Sequence, residues 1–416
     1  MALTFYDASG RAEQIDWRVN TNPKREIRRV WQPPSLHQGD EERSVGWLEL
    51  FFDLFFVVVI AEIAHGLVEH PDARGVLSFL VLFVPVWWVW IGDTIYAERF
   101  ETEGVESRLY AYALMLPVIG MAVFAHDALG ATYAGFALSY ALARLIITGM
   151  FAWGTFSSSA FRPTGVRFVS GFSLAIVLVV LSVFTGPPVR YVLFGLALLT
   201  DLVTPLSTVR LQAALPGFST SKFPERFGLF TIIVLGETVV GVVNGLTELE
   251  SFSPRLLTDA ALGVALGFGL WWLYFDFIGR RQPQPGLKTF IWGYAHLPFV
   301  VAVTAIGAGI TVVIGAEGAL QREVQAIIGG FMSAALISLA LLETVLRREP
   351  GEPTHPVLSP LLKVVTGTVA LLAGFAMSGL SAVSLLLLLL VLLMVNMLYG
   401  LWVWFDLGAT AKRVKP

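Results

Sequence analysis

The 416-residue sequence has no cysteine, only six histidines and only 14% charged residues. Without cysteine there are no disulfides and no thiolate nucleophile, and the redox state of the compartment leaves no trace. The histidines form no His-Glu-x-x-His string or comparable cluster, so neither a metal site nor a catalytic constellation is expected. Nucleotide-binding strings are missing as well, and no cofactor is implied. The glycines of the 260–269 segment, Gly263, Gly267 and Gly269, fall inside an apolar run, where small residues let helices pack closely. No basic surface interleaved with aromatics is present, which argues against a nucleic-acid partner. Residues 1–44 are polar, unlike a secretory leader.

What the chain has is apolar length. Hydrophobic residues make up 56% of it and the mean hydropathy is +0.71, which points to an all-α polytopic integral membrane protein with membrane lipids as its immediate partners. Twelve stretches are each long enough to cross about 30 Å of hydrocarbon at roughly 1.5 Å per residue. They lie at 45–67, 74–95, 108–126, 129–151, 166–185, 189–209, 226–246, 258–279, 289–315, 324–346, 359–377 and 380–406. Threaded through a bilayer in turn, they put 23 of the 28 basic residues on one side and only Arg74, Arg190, Arg255 and Arg322 on the other. Arg144 is left inside a span. The positive-inside tendency then predicts an even number of spans with both termini cytoplasmic.

Residues 1–44 are expected to form a cytoplasmic polar tail, with Lys24 to Gln32 beside anionic headgroups, and residues 408–416 a second cytoplasmic tail. Between them an internal repeat divides the spans. Leu50-Phe-Phe-Asp leading to Glu62 is echoed by Arg226-Phe-Gly-Leu-Phe leading to Glu237. Trp87-Trp88-Val89-Trp90 is echoed by Trp271-Trp272-Leu273-Tyr274, and Leu116-Pro117 by Leu297-Pro298. The similar offsets predict a first six-helix half over 45–210 and a second over 211–407. Because six is even, the halves would be parallel, related about an axis near the membrane normal.

Polar groups inside the spans hold most of the chemistry, because a charge in hydrocarbon costs several kcal/mol unless it is paired or neutralised. Glu62 and Glu237 are the leading candidates for a proton or substrate path, with Arg144, Asp201 and His296. Arg144 and Asp201 are candidate ion-pair partners. Glu237 has no cation on its own helix, so it is expected to be paired with Arg144 or else with His296. His296 precedes Pro298, whose missing N–H frees a carbonyl and favours a bend where a proton could be relayed. Glu49 and Asp53 share one helix face, and Arg226 opens the charged string of span 7. Asp276 lies beside an aromatic cluster, and Asn396 can hydrogen-bond across helices. These five form a secondary set.

The strings LELFFDLFFV at 48–57, ERFGLFTIIVLGE at 225–237 and WWLYFD at 271–276, followed by His296-Leu297-Pro298, resemble the bacterial low temperature requirement A family. The resemblance spans about 45–407 and implies a multi-pass membrane protein named for a growth phenotype in the cold, with no assigned substrate. A histidine-rich segment expected before the ERFGLF string is replaced here by 219–224, STSKFP. From the buried acids and the two halves, the expected function is a secondary transporter of a small polar or ionic solute, coupled to protons through the intramembrane glutamates. Two other readings are a membrane-embedded enzyme acting on lipid and a scaffold that senses the bilayer in the cold. An enzyme would gather its acids and histidines at a lateral opening to lipid, whereas a scaffold would keep them paired and dry.

Overall fold

The computed structural model describes residues 4–6, 12–14, 33–37, 44–101, 104–247, 253–279, 281–348 and 352–413. The Lys24 to Gln32 segment lies outside these. The described chain is helical, in the order α1 Trp47–Glu69, α2 Ala73–Arg99, α3 Val105–Val123, α4 Tyr133–Ser157, α5 Arg162–Val183, α6 Val189–Leu206, α7 Val209–Gln212, α8 Lys222–Thr247, α9 Pro254–Phe277, α10 Leu287–Val313, α11 Arg322–Thr344, α12 Leu358–Phe375 and α13 Ala382–Arg413. Eleven of these helices are long and apolar enough to cross a membrane. The 19-residue α3 is not among them, because Glu106 and Arg108 make its first turn polar. The four-residue α7 was not foreseen, and α13 runs on to Arg413, through most of the segment expected as a tail.

Local chemistry fixes several helix ends. Asp72 caps α2 by accepting from the Gly75 N–H at 2.8 Å, and Ser253 caps α9 ahead of Pro254 in its first turn. Gly241 and Gly307 let α8 and α10 meet backbone to backbone: a methyl group on Gly241 would stand 2.2 Å from the Gly307 carbonyl oxygen.

Contacts between loops sort into two sets. At one end of the bundle, Glu69 meets His126, Tyr191 donates to the Leu129 carbonyl, Arg255 donates to the Ala316 carbonyl, and the Leu320 N–H bonds to Leu380. At the other end, Arg99 donates to the Pro216 carbonyl, Gln282 to that of Thr220 and Gln284 to that of Leu346. Each set joins only loops that alternate threading would place on one side.

Helix α10 is buried along most of its length, whereas α5 turns much of its surface outward. Many outward-facing residues of the helices are apolar, such as Leu145, Val177 and Val243, as a lipid-facing surface requires. Within residues 47–206, α1 packs on α2 and α3, α3 on α4, α4 on α5, α5 on α6, and α2 on α4 and α6. Within 222–413, α8 packs on α9 and α10, α10 on α11, α11 on α12, α12 on α13, and α9 on α11 and α13. Helices α1 and α2 meet α8 and α10 where the two sets join.

Candidate functional site

Arg226 is fully buried at the start of α8 and gathers acids from two other helices. Its Nη2 donates to Asp93 Oδ2 on α2 at 2.8 Å and to Asp53 Oδ1 on α1 at 3.2 Å, and its Nη1 lies 3.5 Å from Glu49 Oε1. One turn earlier on the same face, Lys222 Nζ donates to Glu49 at 2.6 Å, and the Trp90 indole N–H donates to Asp53 Oδ1 at 3.0 Å. Three carboxylates thus face two cations in a nearly water-free setting. Asp53 Oδ2 and the Nε and Nη1 of Arg226 have no hydrogen-bond partner among the described residues. The threading had counted Lys222 and Arg226 as loop cations. They are instead the counter-charges of three acids that lie at the same ends of their spans, a coincidence of depth that the sequence already held.

The expected pairing of Arg144 with Asp201 is present and bidentate: Nη2 donates to Oδ1 at 2.7 Å and Nε to Oδ2 at 3.1 Å. Tyr140 adds a 2.5 Å hydrogen bond to Oδ2, and the guanidinium sits 4.2 Å above the Phe172 ring. This commitment corrects the expected Glu237–Arg144 pairing. The alternative with His296 is also overturned. His296 Nδ1 donates to the Trp292 carbonyl at 2.8 Å and Nε2 lies 3.0 Å from the Tyr274 hydroxyl, so both ring nitrogens are engaged away from Glu237. Glu237 is 6% exposed and has no hydrogen-bond or ion-pair partner among the described residues. The expected ion pair of Glu237 is therefore absent among the described residues.

The secondary residues divide. Glu49, Asp53 and Arg226 meet in the cluster above. Asp276 is exposed and bonded to Trp272 of its own helix, away from that cluster. Asn396 is buried and donates to Thr366 Oγ1 at 2.9 Å, tying α13 to α12. One pair went unforeseen: Lys363 on α12 donates to Glu343 on α11 at 2.9 Å, with Ser359 sharing the same carboxylate oxygen. Lys363 lies four residues inside the expected 359–377 span, where nothing in the sequence names its partner.

Two cavities follow one another along α2 and α6. The larger opens at the α1–α2 turn, with an empty volume of about 2630 Å³ including its mouth. Glu62, Glu69, Asp72, Asp127, Arg74 and His126 supply its charge and polarity, and its walls reach Val84 and Leu202. One turn further on, Trp87, Trp88 and Pro205 belong to the second, much smaller cavity, which is aromatic and has Arg144 in its lining. Between the two, the Tyr294 hydroxyl donates to the Leu202 carbonyl at 2.6 Å, and the Trp88 and Tyr294 rings meet edge to face at 5.6 Å. Glu237 lines neither cavity.

Long apolar helices, a lipid-facing apolar exterior and charges paired inside the bundle define a polytopic helical membrane protein. The sequence profile described as bacterial low temperature requirement A protein (LtrA) matches residues 44–399, and the chain belongs to that family. A relative in Rhizobium meliloti (strain 1021), itself described as uncharacterized, is 29% identical over 297 residues, covering 65% of this chain and 70% of that protein.

Proposed function

We propose that this protein is a twelve-span secondary transporter of the bacterial inner membrane, with both termini cytoplasmic and two parallel six-helix halves. The observation that carries the reading is the pair of cavities in line, divided by Tyr294 and Leu202. Such a divided path is what alternating access requires, because each cavity reaches toward the same midpoint from opposite ends. The recurrence of helix neighbours supports the two halves: α1, α2 and α3 relate to one another and to α4–α6 much as α8, α9 and α10 relate to one another and to α11–α13. On this reading α3 is the remaining span, and the basic loops put the large cavity on the external side.

The polar groups favour transport over a scaffold. A scaffold would keep every acid paired and dry, yet Glu62 is exposed and lines the large cavity with Glu69, Asp72 and Asp127. Of the two glutamates expected on the path, Glu62 is the one that lines a cavity. Proton coupling is assigned to the Arg226 cluster, where three carboxylates and two cations leave one negative charge for a proton to neutralise. Its place between α1, α2 and α8 would let that proton bias how the halves meet.

The test exploits the cysteine-free sequence. Ser78→Cys samples the large cavity and Thr289→Cys the aromatic one, each without background thiols. Their labelling by a membrane-impermeant maleimide, from outside and inside respectively, should change in opposite directions when the proton gradient is collapsed. Rates that ignore the gradient, or labelling of both sites from one side, would count against transport.

A further inference from the structure

The large cavity grades from charged to apolar along its depth. Four carboxylates line it, Glu62 and Glu69 from α1, Asp72 from the α1–α2 turn and Asp127 from the α3–α4 connection, against one guanidinium, Arg74. Asp72 and Asp127 each spend one oxygen on a backbone N–H, that of Gly75 at 2.8 Å and that of Ala131 at 2.7 Å, and Glu69 lies 3.5 Å from His65 and 3.7 Å from His126. Glu62 stands two turns below Glu69, roughly 10 Å further into the bundle at 1.5 Å per residue. It is exposed, and it has no hydrogen bond or ion pair among the described residues. Beyond Ser78 on α2 and Tyr191 on α6 the lining from these two helices, down to Val84 and Leu202, carries no charged side chain. Leu80 and Leu199 are exposed members of it, so apolar surface is open to a ligand there.

We propose that this cavity binds a water-soluble organic monocation, an aromatic quaternary ammonium or amine, with its charged head at Glu62 and its apolar body between α2 and α6. A carboxylate this far into the bundle needs solvent, a proton or a cation beside it, and an arriving ammonium supplies the last. Four acids against one arginine draw positive charge in before contact and repel anions, over a range set by the salt. No three carboxyl or imidazole groups among the described residues are close enough together to share a metal ion, so the field is spread out and suits a large organic cation. Tyr191, an exposed ring in the same lining, adds an attraction for a quaternary ammonium. The mouth lies between the α1–α2 turn and the α3–α4 connection, at the end of the bundle, so the ligand enters from water rather than from the bilayer. The inference deepens the transport reading by naming the solute class and rests on it only for the solute's passage; binding itself does not require passage.

The probe is benzyltrimethylammonium, with benzylsulfonate as a counterpart of similar shape and opposite charge, titrated by calorimetry into the full-length protein in dodecyl maltoside. Three variants read the site. Glu62→Gln removes the anchoring charge and Arg74→Gln the opposing one. Gly195→Leu fills the cavity at a lining position where a Cβ meets nothing within 4 Å, so the fold accommodates it. Expected is saturable binding of the ammonium and none of the sulfonate, at least tenfold weaker ammonium binding in Glu62→Gln and in Gly195→Leu, and tighter binding in Arg74→Gln, all at unchanged unfolding temperature. Equal affinity for ammonium and sulfonate, or ammonium binding unaltered by Glu62→Gln, would overturn the proposal. Phosphatidylcholine added to the micelles should leave the titration unchanged, and displacement by it would give the site to a lipid headgroup and overturn the assignment to a free solute. Uptake of the ammonium into proteoliposomes is measured separately: binding without gradient-driven uptake keeps the site and removes the transport reading.

Discussion

Arg226 is the residue on which most charge converges, and its removal should be felt more than that of any acid it holds. Taking away one partner from a buried ionic cluster typically costs about 3–5 kcal/mol, because the remaining charges stay buried and uncompensated. Arg226→Gln is therefore expected to lower the unfolding temperature in detergent sharply, and Asp53→Asn much less, since the latter removes the excess negative charge. Glu237→Gln should leave the unfolding temperature unchanged or raise it, because no partner is lost and a neutral amide is easier to bury. A fall as large as that of Arg226→Gln would reveal an ionic partner. The Arg144–Asp201 pair was legible in the sequence because both charges sit well inside their spans, where being alone is too costly. Arg226 and Lys363 were not, since each lies within a turn or so of an expected boundary and a residue there reads equally well as a loop cation.

Among the helices, hydropathy located the spans to within a few residues, because the length needed to cross the hydrocarbon leaves little freedom. Which helices touch was not legible, since one apolar helix resembles another and only small or charged residues distinguish neighbours. The α8–α10 crossing shows this: glycines in the spans indicated close packing, but their partners emerged only in the fold. A Cβ on Gly307 would lie 2.7 Å from the Glu237 carbonyl carbon, a backbone atom that cannot swing aside. Gly307→Val should cost about 1–3 kcal/mol as overpacking, visible as a lower unfolding temperature and a smaller monodisperse fraction. Gly293→Leu on the same helix, with open space around it, should show neither effect.

For the molecule as a whole, the alternation of loops between two ends was readable from the distribution of lysine and arginine, and the two sets of loop contacts obey it. Those contacts put Ala316 with Arg255 and Leu320 with Leu380, at the end opposite Arg99 and Pro216. A reporter inserted at Gly318 should be active on the external side, and one joined to the N-terminus on the cytoplasmic side. Signals from the same side would reject the threading. The cavities were not legible, because open space is a property of how helices fail to touch and leaves no local pattern. The Arg226 cluster also bears on how the chain comes to exist. Asp53 is made 173 residues before its arginine. At about 5–20 residues per second, the delay is roughly 10 to 35 seconds. Throughout that time the first helices hold acids whose counter-charge has not been synthesised. A polypeptide stopped at residue 210 should therefore be short-lived in cells, and co-expression of 211–416 should rescue it, so that completion of the chain becomes the condition for its survival.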